Sequence, residues 1–326
     1  MHSASVSKVE NFIAEIEIHL AEAKQLGLIP LIAVIGPTCS GKTALGIALA
    51  HYFSGEIVSA DSRQIYRYLN IGTAKATPEE QAEAVHHLID LINPDQAFSL
   101  SDYQRLAFET IKKIHSTGKT PILVGGTGLY ISAVTQNYQL PESAPDPELR
   151  AQLTDYAESH GPEALHQKLV ELDPLAAARI HPNNLRYVIR AIEIISQTSQ
   201  PKTNQRAAAP FATFFISIDW PREILYQKIN QRIDEQMDMG LLNETRELLG
   251  RYAPTLPALS SLGYQELATF LRGETSLEKA LEDFKQNTRN YAKRQLTWFR
   301  KYSNVYSVDG MELAEFIKAL KAKAQL

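Results

Sequence analysis

Residues 36–43 read Gly-Pro-Thr-Cys-Ser-Gly-Lys-Thr, a G-x-x-x-x-G-K-T signature between the apolar run at 31–35 and the helical pattern at 44–53. A buried strand that turns through such a loop into a helix commits the chain to an α/β layout. Successive backbone N–H groups of the loop form an anion nest, and the helix N-terminus adds its dipole. Gly36, Pro37, Thr38, Cys39, Ser40, Gly41, Lys42 and Thr43 are therefore the candidate phosphate site, with Lys42 reaching the outer phosphates and Thr43 placed to ligate Mg²⁺. Cys39 is the one cysteine; it is either a thiol of lowered pKa beside the anion or a filler of a small-residue position.

Beyond the loop, short Val/Ile/Leu runs at 56–60, 86–92 and 121–126 alternate with helical stretches, the pattern of a parallel sheet covered by helices on both faces. Residues 1–30 carry Val9, Phe12, Ile13, Ile16 and Leu20 at helical spacing and read as an amphipathic extension packed on the body. From 139 the character changes. A Pro-rich stretch at 140–147 leads into helical runs at 148–158, 163–172 and 184–195, and residues 198–210 close the segment before a strand at 211–219. The expected organisation is a phosphate-loop core at 31–138 and 211–326 with a helical insertion at 139–210.

Charge and cysteine usage narrow the function. The chain has 33 Lys plus Arg against 37 Asp plus Glu, a net −4, so any nucleic-acid contact has to come from a local patch. One cysteine cannot build a disulfide framework, the longest apolar run is too short for a membrane span, and the first thirty residues lack arginine. A cytoplasmic protein that does not engage a membrane is expected. His86 and His87 have no partners at metal-ligand spacing and read as structural.

Other candidate residues lie at strand ends, where open α/β sheets place ligands. A hydrolytic P-loop ATPase needs a strand ending in a carboxylate, but the run at 121–124 ends in Gly125-Gly126-Thr127. Asp61 follows the strand at 56–60 and either accepts a proton from an attacking hydroxyl or amine, or caps a helix. Thr127 either donates to a leaving oxygen or serves a turn. Gln64 reads an adenine edge or is a solvated turn residue.

In order, GPTCSGKT, DSRQIY (61–66), IGTAK (71–75), HHLID (86–90), GGTGLY (125–130), HPNN (181–184) and AKRQLTWFR (292–300) resemble the bacterial tRNA dimethylallyltransferases, also called tRNA isopentenyltransferases, over about residues 31–309. The resemblance implies a P-loop that holds the diphosphate of dimethylallyl diphosphate, with the prenyl group passed to the N6 amine of the adenosine on the three-prime side of the anticodon. It implies Asp61 as base, Thr127 as an aid to the departing diphosphate, and Arg232, in the helix at 223–235, as a further cation. Lys228 stands where relatives usually carry Arg, and so does Tyr187. The partners implied are dimethylallyl diphosphate and the tRNA anticodon stem-loop, with Mg²⁺ as cofactor and a monomer as the working form. Residues implied in tRNA binding are Asp61, Ser62, Arg63, Gln64, Thr127, Arg150, Arg186, Tyr187, Arg190, Gly263, Tyr264, Gln265, Lys293 and Arg294, with 139–210 as a tRNA-contacting domain.

Residues 285–301 supply the local patch the net charge demands: Lys285, Arg289, Lys293, Arg294, Arg300 and Lys301 with no acid, interleaved with Tyr291, Trp298 and Phe299. With Arg179, His181, Arg186 and Arg190 they read as a phosphate clamp, against the plainer reading of a solvated face with core aromatics. Two other enzymes fit the loop and Asp61: a prenyltransferase acting on free adenylate, and a small-molecule kinase. The helical insertion and the basic stretch favour tRNA.

Overall fold

The computed structural model describes residues 2–140, 146–198, 208 and 210–324. In chain order the elements are α1 (His2–Gln25), β1 (Ile29–Ile35), α2 (Lys42–Tyr52), β2 (Gly55–Ser59), α3 (Pro78–Glu83), β3 (His86–His87), α4 (Leu100–Ser116), β4 (Thr120–Gly125), α5 (Gly128–Thr135), α6 (Pro147–His160), α7 (Pro162–Leu172), α8 (Pro174–Ala177), α9 (Leu185–Thr198), β5 (Phe211–Asp219), α10 (Arg222–Asp238), α11 (Leu241–Arg251), α12 (Tyr264–Leu271), α13 (Leu277–Phe299), β6 (Val305–Asp309) and α14 (Leu313–Ala324). Most of the Pro-rich stretch, at 141–145, and most of the closing segment, at 199–207 and 209, lie outside the described residues.

Among the described residues six strands form one sheet in the order β3-β2-β4-β1-β5-β6, with every neighbouring pair parallel. Residue alternation decides which helices cover each face. Ile32 and Val34 of β1 join Ile57, Ile122, Val124 and Ile216 under α1, α2 and α14. Leu31, Ala33 and Ile35 join Val58 and Leu123 under α4, α5 and Phe299 of α13. Because both faces are covered, the strands are apolar on both sides, which is why they read as continuous runs. The apolar stripe of α1 is spent on the first face: Val9, Phe12 and Ile16 are fully buried, and the Phe12 ring lies 5.0 Å from Phe316 and 4.8 Å from Tyr306. No helix among the described residues is long and apolar enough to cross a membrane.

The chain divides into two compact units, residues 1–135 with 209–326, and residues 136–208. The smaller unit has its own core of Leu153, Leu165, Leu169, Val188 and Ile192. Asp146 and Asp173 start its helices by accepting from the Leu149 and Ala176 N–H groups. In the larger unit, α10–α13 bury Ile229, Ile233, Leu248 and Phe284 around Ile65, Tyr66 and Leu69 of the loop that follows β2.

Two glycines let the sheet edge close. A Cβ on Gly125 would sit 2.2 Å from the Ala60 carbonyl oxygen, and one on Gly46 would sit 2.8 Å from Val124 Cγ2. Gly125→Ala should therefore lower stability by about 3 kcal/mol. Gly250→Ala, in α11 with nothing within 4 Å of its Cβ position, should raise it by about 0.5–1 kcal/mol. Urea midpoints at constant m-value compare the two, and equal effects would contradict this packing.

Candidate active site

β1, β4 and β2 deliver their C-terminal ends to one edge, and the candidate residues follow from that edge. The loop after β1 turns through Cys39 (φ 61°) and Gly41 (φ 94°) before α2 begins at Lys42. Ser40 Oγ donates to the Pro37 carbonyl at 2.9 Å, and Lys42 Nζ folds back onto the same oxygen at 2.5 Å. Two side chains brace the loop from outside. Trp220 Nε1 donates to the Ser40 carbonyl at 3.0 Å, and the Thr38 N–H donates to Gln295 Oε1 at 2.9 Å. Burial pulls the Lys42 ammonium down to about 8, with Asp61 and the Cys39 thiol opposing the shift.

Asp61 starts no helix. Its Oδ1 accepts from the Arg63 and Gln64 N–H groups at 2.8 and 3.4 Å, which makes an Asx turn and replaces the helix-cap alternative. Its other oxygen has no hydrogen-bond partner among the described residues and is open to a substrate proton. Thr127 ties the ends of β2 and β4 together. Its N–H donates to the Ala60 carbonyl at 3.1 Å, and its Oγ1 accepts from the Ser62 N–H at 3.0 Å and donates to Ser62 Oγ.

Tyr291 of α13, which on sequence belongs to the basic stretch at 285–301, brings its hydroxyl to Thr127. Burial pushes its pKa up to about 12, and the Asp61 charge adds to the rise. Sequence reasoning missed Gln295 and Trp220. Their only sequence signal is membership of a motif or of a strand end, because their partners in the loop lie 257 and 180 residues away.

Several expected roles change. Gln64 is neither solvated nor free to read a base: its Oε1 accepts from Ser59 Oγ, and its Nε2 donates to the Thr73 and Ala74 carbonyls. Burial raises the Cys39 thiol pKa, so the nearby cations Lys42, Arg232 and Lys228 do not make it a thiolate. Tyr264 is buried and donates to Glu244 at 2.6 Å, and Gly263 is buried with φ 88°. Gly263 and Tyr264 are therefore structural, since the Glu244 carboxylate also accepts from the Asn70, Ile71 and Gly72 N–H groups. Gln265 stays exposed. Arg63 spends a guanidinium N–H on the Pro257 carbonyl.

The cation patches sort in the same way. On α10, Lys228 lies 4.5 Å over the Trp220 ring, and Arg232, one turn on, is partly exposed. On α13, Lys285 is paired with Asp234 at 2.6 Å and Arg289 donates to Asn230, so both join α13 to α10. Phe299 is buried, Trp298 Nε1 donates to Ser132, and Lys301 sits 3.6 Å over the Trp298 ring. Lys293 and Arg294 stay exposed. In the smaller unit, Arg150 forks onto the buried Glu193 at 2.8 Å through both contacts, and Arg190 binds the same carboxylate. Against the upward pull of burial, Arg150, the Asp146 N–H and Arg190 hold Glu193 at about 2. Arg150 and Arg190 are thus clasps of the helical unit, while Arg186 and Tyr187 remain exposed.

The model of the IPP transferase family matches residues 64–302. A tRNA dimethylallyltransferase of Roseiflexus castenholzii is 46% identical over 90% of this chain and 97% of its own length. One from Halalkalibacterium halodurans is 44% identical over 84% and 89%. Among solved structures, a tRNA isopentenylpyrophosphate transferase from Bacillus halodurans is 42% identical, covers 91% of this chain and 98% of its own, and superposes with a TM-score of 0.65. A eukaryotic dimethylallyltransferase acting on tRNA is 27% identical over 91% and 77%, with a TM-score of 0.76.

The Lys42 pKa yields a prediction. An anion prefers the ammonium, so affinity for inorganic pyrophosphate should be full below about pH 8 and fall above it by up to about tenfold per pH unit. The ligand's own ionisation is common to wild type and Lys42→Met, so the difference between their calorimetric pH profiles isolates the lysine. Parallel profiles would remove Lys42 from the anion site.

Proposed function

The chain belongs to the IPP transferase family, and from that premise we propose that it transfers the dimethylallyl group of dimethylallyl diphosphate to the N6 amine of the adenosine on the three-prime side of the tRNA anticodon. The observation that carries this reading is the convergence, on one sheet edge, of an anion-binding loop and a carboxylate oxygen left open, while β4 ends in glycine rather than in the acid that nucleotide hydrolysis needs.

The chemistry follows from the residues. An adenine amine is a weak nucleophile because its lone pair is delocalised into the ring, so it needs a base and a good leaving group. As the N6–carbon bond forms and the allylic carbon–oxygen bond breaks, the bonding pair leaves with the diphosphate and an N6 proton passes to Asp61. Lys42 and the loop N–H groups meet the developing charge, with Arg232 and Lys228 near the Cys39 side of the loop. The Thr127 hydroxyl is held by Ser62, the residue that follows Asp61. Mg²⁺ fits the donor set. The Thr43 hydroxyl, in the first turn of α2 and without a hydrogen-bond partner among the described residues, is the hard oxygen that would hold it. When bound, the ion supplies charge neutralisation of the diphosphate.

The base must leave the anticodon stack to reach Asp61, which requires the RNA backbone to be held while it is extruded. Lys293 and Arg294, exposed on the helix that reaches the loop through Gln295, are placed for that contact. The double substitution Lys293→Glu, Arg294→Glu should weaken tRNA binding and make its salt dependence shallower by about two units of slope. Unchanged affinity across a salt series would make that face merely solvated.

The reading is tested with labelled dimethylallyl diphosphate, Mg²⁺ and a choice of acceptor. Label should enter unmodified tRNA and not AMP, with no ATP consumed in the presence of hydroxyl acceptors; label in AMP alone would identify an adenylate prenyltransferase. Asp61→Ala should reduce turnover by about 10²–10⁴-fold while tRNA affinity holds. Surviving turnover would reduce Asp61 to a turn-former.

A further inference from the structure

Gln295 is 5% exposed and uses both ends of its amide. Its Oε1 accepts the Thr38 N–H of the phosphate loop at 2.9 Å, and its Nε2 donates to the Gly126 carbonyl at the end of β4 at 2.8 Å. The orientation of the amide is fixed, because flipping it would face donor to donor and acceptor to acceptor. The fit is close on the partner side too. A Cβ on Gly126 would lie 2.3 Å from Nε2, and one turn of α13 later Trp298 blocks a Cβ on Gly128 at the same distance. A glutamine offers an acceptor and a donor in a single plane that stays uncharged at every pH.

Resting on the function proposed above, we propose that Gln295 is a positioning residue for the transfer. It joins the phosphate loop to the β4 end, occupies the Thr38 N–H so that this amide does not take up the anion, and so fixes where the diphosphate sits relative to Thr127. Thr127 follows Gly126 directly, so a shift of the Gly126 carbonyl moves the Thr127 hydroxyl and the Ser62 contact beside Asp61. α13 bears the exposed Lys293 and Arg294 within two residues of Gln295, so the same side chain ties the RNA-facing helix to the loop.

The test uses the full chain and two variants. Gln295→Met keeps the volume and removes both hydrogen bonds. Gln295→Glu keeps an acceptor for Thr38 but loses the donor and places a negative charge beside the diphosphate. Steady-state constants for both substrates, calorimetric affinity for inorganic pyrophosphate and thermal unfolding are measured on each. We expect kcat to fall by about 10²-fold in Gln295→Met while KM for tRNA holds within about threefold. Pyrophosphate affinity should fall further in Gln295→Glu than in Gln295→Met, by about tenfold. Lower melting temperatures with wild-type kcat and pyrophosphate affinity in both variants would overturn the inference and leave Gln295 a packing residue. If Gln295→Met does not fold, Gln295→Glu alone decides on the same readouts. Wild-type turnover separates the two failures. If wild type transfers nothing to tRNA, the function falls and pyrophosphate affinity still decides for or against Gln295; if wild type transfers and the variants match it, only the inference falls.

Discussion

The placing of β4 between β1 and β2 is the constraint on which the active edge depends. Parallel pairing in register, Ile35 with Gly125 and Ser59 with Val124, brings three strand ends to the same height, so the loop after β1, the turn after β2 and Thr127 after β4 face one space. The approach is tight enough that only glycine fits at 125, against the Ala60 carbonyl. Several other elements of the larger unit serve that edge. α2 supplies the helix start at the phosphate loop, Trp220 and Gln295 brace that loop, α11 holds the segment after β2 through Glu244, and Lys75 ties that segment to itself. Lys75, almost wholly buried, donates to Tyr66, Asn70 and Asp90, a buried cation kept only because each of its protons has an acceptor.

Electrostatics at the edge are local. A chain of net −4 reaches a cationic loop by placing Lys42, Lys228 and Arg232 around it. The stretch at 285–301 shows how this works: its acid-free sequence suggests one patch, yet Lys285 and Arg289 are held by α10, Lys301 lies on Trp298, and only some of its bases face solvent. Charge along a sequence therefore overstates the charge available for RNA, because a partner on another helix removes it without leaving a local mark.

The legible parts share one property. The loop at 36–43, the strands of the sheet centre, the helices of the 136–208 unit and the stripe of α1 are all set by neighbours within a turn or two, where hydrophobic period and glycine placement act; of the run at 86–92, only His86–His87 pairs into the sheet. The IPP transferase family membership was legible for the same reason, since its motifs are short and ordered. What stayed hidden depends on distant partners. Arg150 looked like an RNA ligand because Glu193, 43 residues on, gives no sign that it folds back. Gln64 and Tyr264 looked like surface contacts because the carbonyls of residues 73 and 74 and the carboxylate of Glu244 that claim them belong to other segments. Asp61 gave both readings, and its turn could be told from a cap only by the absence of a helix after it. Cys39 also gave two readings, and the structure favours the small-residue one, because burial, which raises a thiol pKa, outweighs the cations that lower it.

In the proposed transfer, one sheet edge holds the diphosphate on the loop at 36–43 and meets the adenine amine at Asp61. A crystal structure of the chain with unmodified tRNA and inorganic pyrophosphate tests it most directly. The expected complex has an extruded adenosine from the three-prime side of the anticodon, with its N6 within about 3 Å of an Asp61 carboxylate oxygen and the pyrophosphate on the loop N–H groups beside Lys42. A pyrophosphate bound away from the loop, or an adenine whose amine faces away from Asp61, would contradict it.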